Sequence, residues 1–309
     1  MENGYFDLQV NGYGGVDLNS DGITDDEIEQ MCAHLADDGV DGILATIITA
    51  PVPDMVRRIA RVVAAREARP AIRQRIAGIH IEGPFINPAA GYRGAHDAQA
   101  IIPPALDEVK RLHDACGGLL RILTLAPECD EGFAATRWLA GQGVVVSAGH
   151  CDPSLETLQG AADAGLTLFT HTGNGCPMLM HRHDNVIQRA LALHDRLTLC
   201  FIADGVHIPF FALGNYLRAC GIENAVVVTD AMQAAGMGPG LYGIGAFQVL
   251  VGEDLAAWAP DRSHLVGSAG TMKRTAANLR DKMGLAEEDV RRLTCINPRR
   301  VLERCAKGA

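Results

Sequence analysis

The chain has 309 residues, 48% of them hydrophobic and 21% charged, with 34 glycines and a formal net charge of −10 at pH 7. That balance excludes a general nucleic-acid surface, which needs clustered Lys and Arg against phosphates, but leaves room for one local basic pocket. No apolar run reaches the roughly 18 residues of a membrane span, and MENGYFDLQVNGYGG lacks a signal peptide's basic-then-apolar order, so a cytoplasmic protein free of membrane and nucleic acid is expected.

Short apolar, β-branched runs alternate with helical patterns along the chain, the order that builds parallel βα units. Strands are expected at YFDLQVN (5–11), GILATIIT (42–49), IAGIHIEG (76–83), LRILTLAPE (120–128), VVVSAGH (144–150), LTLFTHT (166–172), TLCFIAD (198–204) and AVVVTDA (225–231). Between them lie segments with helical spacing or start signals, such as TDDEIEQMCAHLADDG, PDMVRRIARVVAAREAR, DEGFAATRWLAGQG and DPSLETLQGAADAG. Eight parallel strands, each followed by a helix, close into a (β/α)8 TIM barrel, and one such domain over 1–309 is the expected α/β architecture. An open doubly wound sheet is the alternative, but no G-x-G-x-x-G follows the first strand.

In such a barrel the chemistry collects at the C-terminal ends of the strands. The polar residues there are Gln9 and Asn11, Thr46 and Thr49, His80 and Glu82, Glu128, His150, His171, Asp204 with His207 just beyond, and Asp230. Glu82, His150 and His171 end three different strands, so closure of the barrel brings them together. Two imidazoles and one carboxylate leave an open position, which is the catalytic pattern for zinc, and water held there has its pKa lowered to about 7. Asp230 is then the natural general base and acid. Any one of these residues alone reads more readily as a helix cap or loop contact; the four on one rim read as a site.

His80 shares the face of Glu82 one layer deeper, where hydrogen bonding to a neighbour and direct ligation are both open. His181 and His183, in the loop MLMHRHDN, point to substrate contact or solvation rather than a second metal. The nine cysteines, at 32, 116, 129, 151, 176, 200, 220, 295 and 305, include no C-x-x-C pair and suit reduced thiols that pack as small hydrophobes. Cys151 and Cys176 adjoin the site motifs, with packing the expected role for both.

FDLQVNGYGGVDLN, GIHIEGPFIN, LTLAPE, VVVSAGHCD, FTHTGNGCP, FIADGVHIP, VVVTDAMQAAG and LVGSAGTM follow the order in which such segments occur in N-acetylglucosamine-6-phosphate deacetylases of the amidohydrolase superfamily. The chain resembles that family over nearly its whole length. The resemblance implies metal-dependent hydrolysis of an N-acetylated amino sugar, N-acetylglucosamine 6-phosphate, to glucosamine 6-phosphate and acetate. It puts the metal ligands on Glu82, His150 and His171 and the catalytic aspartate on Asp230. Gln9-Val10-Asn11 replaces the superfamily's usual H-x-H, which implies a single divalent ion, expected to be Zn2+, with Gln9, Asn11 and His80 supporting the site or holding water. Implied substrate contacts are Gly94, Ala95, His96, Asn174, Gly175, Arg182 and His207. In family dimers the arginine and the histidine reach a phosphate in the neighbouring subunit, so a homodimer is expected, with Arg182 and His207 as cross-subunit phosphate ligands.

The chain departs from the family in three places. HRHDN stands where the family tends to read G-R-E-P-G or H-R-E-P-G, NGCP stands for N-A-M-P, and the flanking β-sandwich built from both termini is expected to be missing. The altered loop around Arg182 leaves a deacetylase of the unphosphorylated sugar, or of a related N-acyl compound, as the alternative. A non-catalytic sugar-phosphate-binding barrel, the lesser alternative, should have lost a ligand or the base, and all four residues are present.

Overall fold

The computed structural model describes residues 4–244, 247–262 and 265–303; Cys305 lies outside them. Eight parallel strands form one sheet in chain order: β1 Tyr5–Val10, β2 Val40–Ile48, β3 Ile76–Glu82, β4 Leu120–Leu125, β5 Val145–Ala148, β6 Leu166–Phe169, β7 Thr198–Ile202 and β8 Ala225–Val228. Helices lie between them, as expected for a (β/α)8 barrel. Helix α1, Asp25–Asp37, starts at a capping box in which Thr24 and Glu27 satisfy each other's backbone amides. The helical pattern after β2 resolves into two helices, α2 Val52–Ala68 and α3 Pro70–Arg75. Pro70 excludes Arg69 from the helical region, so Arg69 is extended (φ −126°, ψ 119°) and a new helix begins at the proline.

The two faces of the strands bury different layers. Leu8, Leu44, Ile122, Leu168, Ile202 and Val228, from six strands, pack together as an apolar plug inside the barrel. Their sequence neighbours Ile43, Leu123, Phe201 and Val227 pack into the separate layer beneath the helices. Nearer the C-terminal mouth the interior turns polar. His80 donates from Nδ1 to the Leu8 carbonyl (3.0 Å), and its Nε2 accepts from the Thr124 hydroxyl (2.8 Å).

The seam between β1 and β8 is closed without a regular ladder among the described residues. A single bridge pairs Val10 with Ala231, and the Asn11 N–H donates to the Ala231 carbonyl at 2.8 Å. The remaining closure comes from a side chain. Buried Asp7 accepts the Gln9 N–H (3.2 Å), the Thr229 N–H (3.3 Å to each oxygen) and the Thr229 hydroxyl (2.5 Å). Burial pushes the Asp7 carboxyl up to about 7, and the hydrogen bonds from Thr229 and Gln9 oppose that only in part.

After β8 the chain makes an excursion that the strand patterns did not announce. β9 Gly240–Ile244, β10 Phe247–Val251, β11 Ala256–Trp258 and β12 Leu265–Ser268 form an antiparallel sheet with its own small core of Ala234, Val249, Val251, Ala257 and Ala269. It is tied to the barrel where Ser268 bridges Ala231 and accepts the Met232 N–H at 2.9 Å. The eight described cysteines are all free, in keeping with packed thiols. Among the described residues no helix is long and apolar enough to cross a membrane.

Two outcomes are expected. Phe201 is fully buried and stacks on Tyr216 with ring centroids 5.9 Å apart, so Phe201→Ala should lower the unfolding free energy in urea by about 3–5 kcal/mol. Asp7 has its folded pKa raised from 3.8 to about 7, so its contribution to stability is full below the lower value and is lost as pH rises through the upper one. Asp7→Asn should therefore flatten the fall in unfolding midpoint that the unaltered protein shows between about pH 4 and pH 7.

Candidate active site

Four functional side chains leave the strands at one rim. Glu82 is the last residue of β3, and the cis peptide Gly83-Pro84 follows it. His150, His171 and Asp230 each stand two residues past the end of β5, β6 and β8. All three have positive φ, at 51°, 26° and 50°, a region L side chains rarely adopt and that costs of order 1–3 kcal/mol each. Such strain at three converging positions marks the rim as a place where side-chain aim outweighs backbone comfort.

Glu82 Oε1 lies 2.8 Å from His171 Nε2 and 3.3 Å from His150 Nε2, and one ligand atom from each of the three residues falls within 4.8 Å of the others. His150 Nδ1 donates to the Tyr92 carbonyl at 2.7 Å, which leaves its Nε2 lone pair facing the cluster. His96, carried in on the loop after β3, places its Nε2 3.2 Å from that lone pair, with its Nδ1 2.7 Å from the Thr49 hydroxyl. With the His150 lone pair facing it, His96 carries its proton on Nε2, pointing into the site, and its Nδ1 takes the Thr49 hydroxyl proton in place of that hydroxyl's longer 3.4 Å contact with the Glu82 carbonyl.

The charges follow from burial set against neighbours. Burial opposes ionisation of Glu82, but the two imidazoles hold its carboxyl well below the usual range. Burial also works against a charged His171, and Glu82 outweighs it, raising that imidazole. Asp230 is pushed up to about 6 by burial and by the charge of Glu82, while His171 and the Asn11 Nδ2–H, donating to Asp230 Oδ1 at 2.8 Å, pull the other way. His80 falls to about 4 and His96 to about 3, chiefly through burial, so both are neutral at pH 7. A buried carboxylate facing two imidazoles, one with its lone pair already turned inward, is a donor set that fits a divalent cation such as zinc.

The remaining expected residues divide into those brought to the cluster and those kept off it. Gly94 and Gly175 both pack against His150: a Cβ at Gly94 would lie 3.2 Å from its Cε1, and one at Gly175 2.7 Å from its Nδ1. The Asn174 N–H donates to the His171 carbonyl at 2.9 Å, and its Nδ2 is buried without a partner. The Thr170 hydroxyl donates to Gln9 Oε1 at 2.5 Å, leaving Gln9 Nε2 in the same unpartnered state. His80 stands below the cluster on Leu8 and Thr124, the hydrogen-bonded one of its two open alternatives. Ala95 is exposed beside His96, and Arg182 is exposed on the loop after β6. His207 Nδ1 sits 2.6 Å from Asp204 Oδ2; burial would raise Asp204, but His207 and the Val206 and His207 amides hold it low. His181 Nδ1 accepts the Asp184 N–H at 2.8 Å and so closes its own loop.

Further residues support the site from outside the expected set of ligands and contacts. Tyr92 acts through its carbonyl, which no residue type announces. Glu128 accepts from Asn87 Nδ2 (2.8 Å) and the Asp152 N–H (2.6 Å), and the Asn87 N–H in turn holds the His150 carbonyl at 3.0 Å. Beside the rim opens a cavity of about 440 Å³ lined by Tyr92, Asp152, Met180, His181, Asp184 and Arg189, among others. That volume is within the range of small-molecule sites.

No family model matches the chain. It is 31% identical to the N-acetylglucosamine-6-phosphate deacetylase of Bacillus subtilis (strain 168), over 95% of this chain and 73% of that protein. Identity is 30% to the N-acetylgalactosamine-6-phosphate deacetylase of Escherichia coli O157:H7, over 96% of this chain and 77% of that one. Among solved structures, a mutant N-acetyl-D-glucosamine-6-phosphate deacetylase from Mycobacterium smegmatis, in complex with N-acetyl-D-glucosamine-6-phosphate, matches with a TM-score of 0.86 at 30% identity, covering 97% of this chain and 77% of that one. Glu82→Gln should abolish stoichiometric zinc in reconstituted protein while leaving the circular dichroism spectrum intact, as read by elemental analysis of the same sample.

Proposed function

Because the chain belongs to the N-acetylglucosamine-6-phosphate deacetylase family, we propose that it hydrolyses N-acetylglucosamine 6-phosphate to glucosamine 6-phosphate and acetate, using one Zn2+ held by Glu82, His150 and His171. The observation that carries this reading is the convergence of those three side chains on one point, with His96 Nε2 beside His150 and Asp230 just past the end of a strand on the same rim. When bound, the ion supplies Lewis acidity, activating a water and polarising the acetamide carbonyl. Asp230 takes a proton from that water as its oxygen adds to the carbonyl carbon. Its raised pKa suits the return of the same proton to the nitrogen as the C–N bond breaks, which releases acetate and the free amine. His96 donates to the oxygen on which negative charge develops. Asn11 anchors Asp230 Oδ1 throughout.

Arg182 and His207 are the proposed phosphate ligands, with Asp204 on Nδ1 turning the Nε2 of His207 outward. Met178 and Leu179, 98% and 92% exposed on the loop of Arg182, and Phe211, 77% exposed just past His207, favour a homodimer in which these loops meet a neighbour. The free thiols suit a reducing, cytoplasmic compartment. Near-equal identity to the relative named for N-acetylgalactosamine 6-phosphate makes the galactose epimer the second reading.

Acetate release from both 6-phosphates and both free sugars decides the substrate; the reading falls if zinc-loaded protein releases none from any of them. Asp230→Asn should lower kcat by about 10²–10⁴-fold with zinc retained. Arg182→Ala should raise KM for the 6-phosphate roughly 10–100-fold and leave that for the free sugar unchanged, as expected for a lost charge-assisted contact of about 1.5–3 kcal/mol.

A further inference from the structure

Asp7 is buried, carries charge chemistry and takes no part in the steps above. Of the donors it accepts, two belong to Thr229, the residue immediately before Asp230. The Thr229 hydroxyl donates to Asp7 Oδ2 at 2.5 Å and itself accepts the Ala231 N–H at 3.2 Å. One run of hydrogen bonds therefore leads from β1 to the residues on both sides of Asp230. Asp230 stands at φ 50°, a backbone state that persists only where its surroundings over-determine it. The run shares that task with the Asn11 Nδ2–H on Asp230 Oδ1, the Asn11 N–H on the Ala231 carbonyl and the bridge from Val10 through Ala231 to Ser268. Only donors face the Asp7 oxygens, so an asparagine in its place would turn an N–H2 toward at least one N–H or O–H.

We propose that Asp7 is a positioning residue for the deacetylation, setting the aim of Asp230 through Thr229. The inference rests on the deacetylase reading above. Its test is the steady-state kinetics of zinc-loaded Asp7→Asn, Thr229→Val and Thr229→Ser, each alone and combined with Asp230→Asn, with zinc content measured on the same samples. Asp7→Asn and Thr229→Val should lower kcat by about 10–100-fold per zinc-loaded chain with KM within about 3-fold, because a small misplacement of a reacting group costs on that scale. Thr229→Ser, which keeps the hydroxyl, should recover the rate. In the Asp230→Asn background the same changes should cost less than about 3-fold, since residues acting through one another are not additive. Unchanged kcat in Asp7→Asn and Thr229→Val, or losses that multiply fully with Asp230→Asn, overturns the proposal. Should Asp7→Asn not fold, the Thr229 pair decides alone. If the unaltered protein releases no acetate, the deacetylase reading fails, and hydrogen exchange at Ala231 still decides the clasp. Faster exchange in Thr229→Val than in Thr229→Ser upholds it, and equal exchange sinks it.

Discussion

A carboxylate taken out of water costs several kcal/mol unless a matching charge answers it, and Glu82 is buried at the end of β3 with two imidazoles as its answer. The rest of the mouth is arranged around that requirement. His150 faces Glu82 from a left-handed backbone state, with its far nitrogen fastened to the Tyr92 carbonyl, a glycine at 175 where a Cβ would collide with its ring and one at 94 where a Cβ would crowd it. His171 meets the same carboxylate from β6 under similar strain. Asp230 feels its own burial and then that charge as a rise in its pKa to about 6.

Beneath the cluster, the barrel interior grades from apolar to polar over a short distance. Leu8 belongs to the plug, yet its carbonyl receives the His80 N–H, and His80 passes the connection to Thr124 on β4. A neutral imidazole with both nitrogens engaged can carry hydrogen bonds across the interior without adding a second charge to the site. The floor beneath the cluster is thus hydrogen-bonded and carries no second charge.

Much of this was legible because it follows from periodicity and from the single direction in which parallel strands end. The strand runs, the cluster of Glu82, His150 and His171, and the place of Asp230 on the same rim all follow from reading which polar residue closes each apolar segment. The partner of a buried polar group does not: the order along β3 puts His80 one layer below Glu82, but only the fold supplies Leu8 and Thr124 as its hydrogen-bond partners. Nor does backbone state, since left-handed positions ordinarily favour glycine and here belong to two histidines and an aspartate. The sheet of β9–β12 escaped because GPGLYGIG mixes turn residues with scattered apolar ones, and its core is mostly alanine and valine. Asp7 reads as an ordinary strand residue until β8 arrives, more than two hundred positions later, to explain it.

That separation has a temporal meaning. The residues of the candidate metal cluster are all in place by residue 171, whereas Asp230 and its neighbour Thr229 are held by Asn11, just past β1, and Asp7, within it, across 219 and 222 residues of chain. Contacts of such range form late, because the entropy of closing the whole loop is lost before they return anything. The seam that closes the ring between β1 and β8 is therefore also the one that fixes where Asp230 stands.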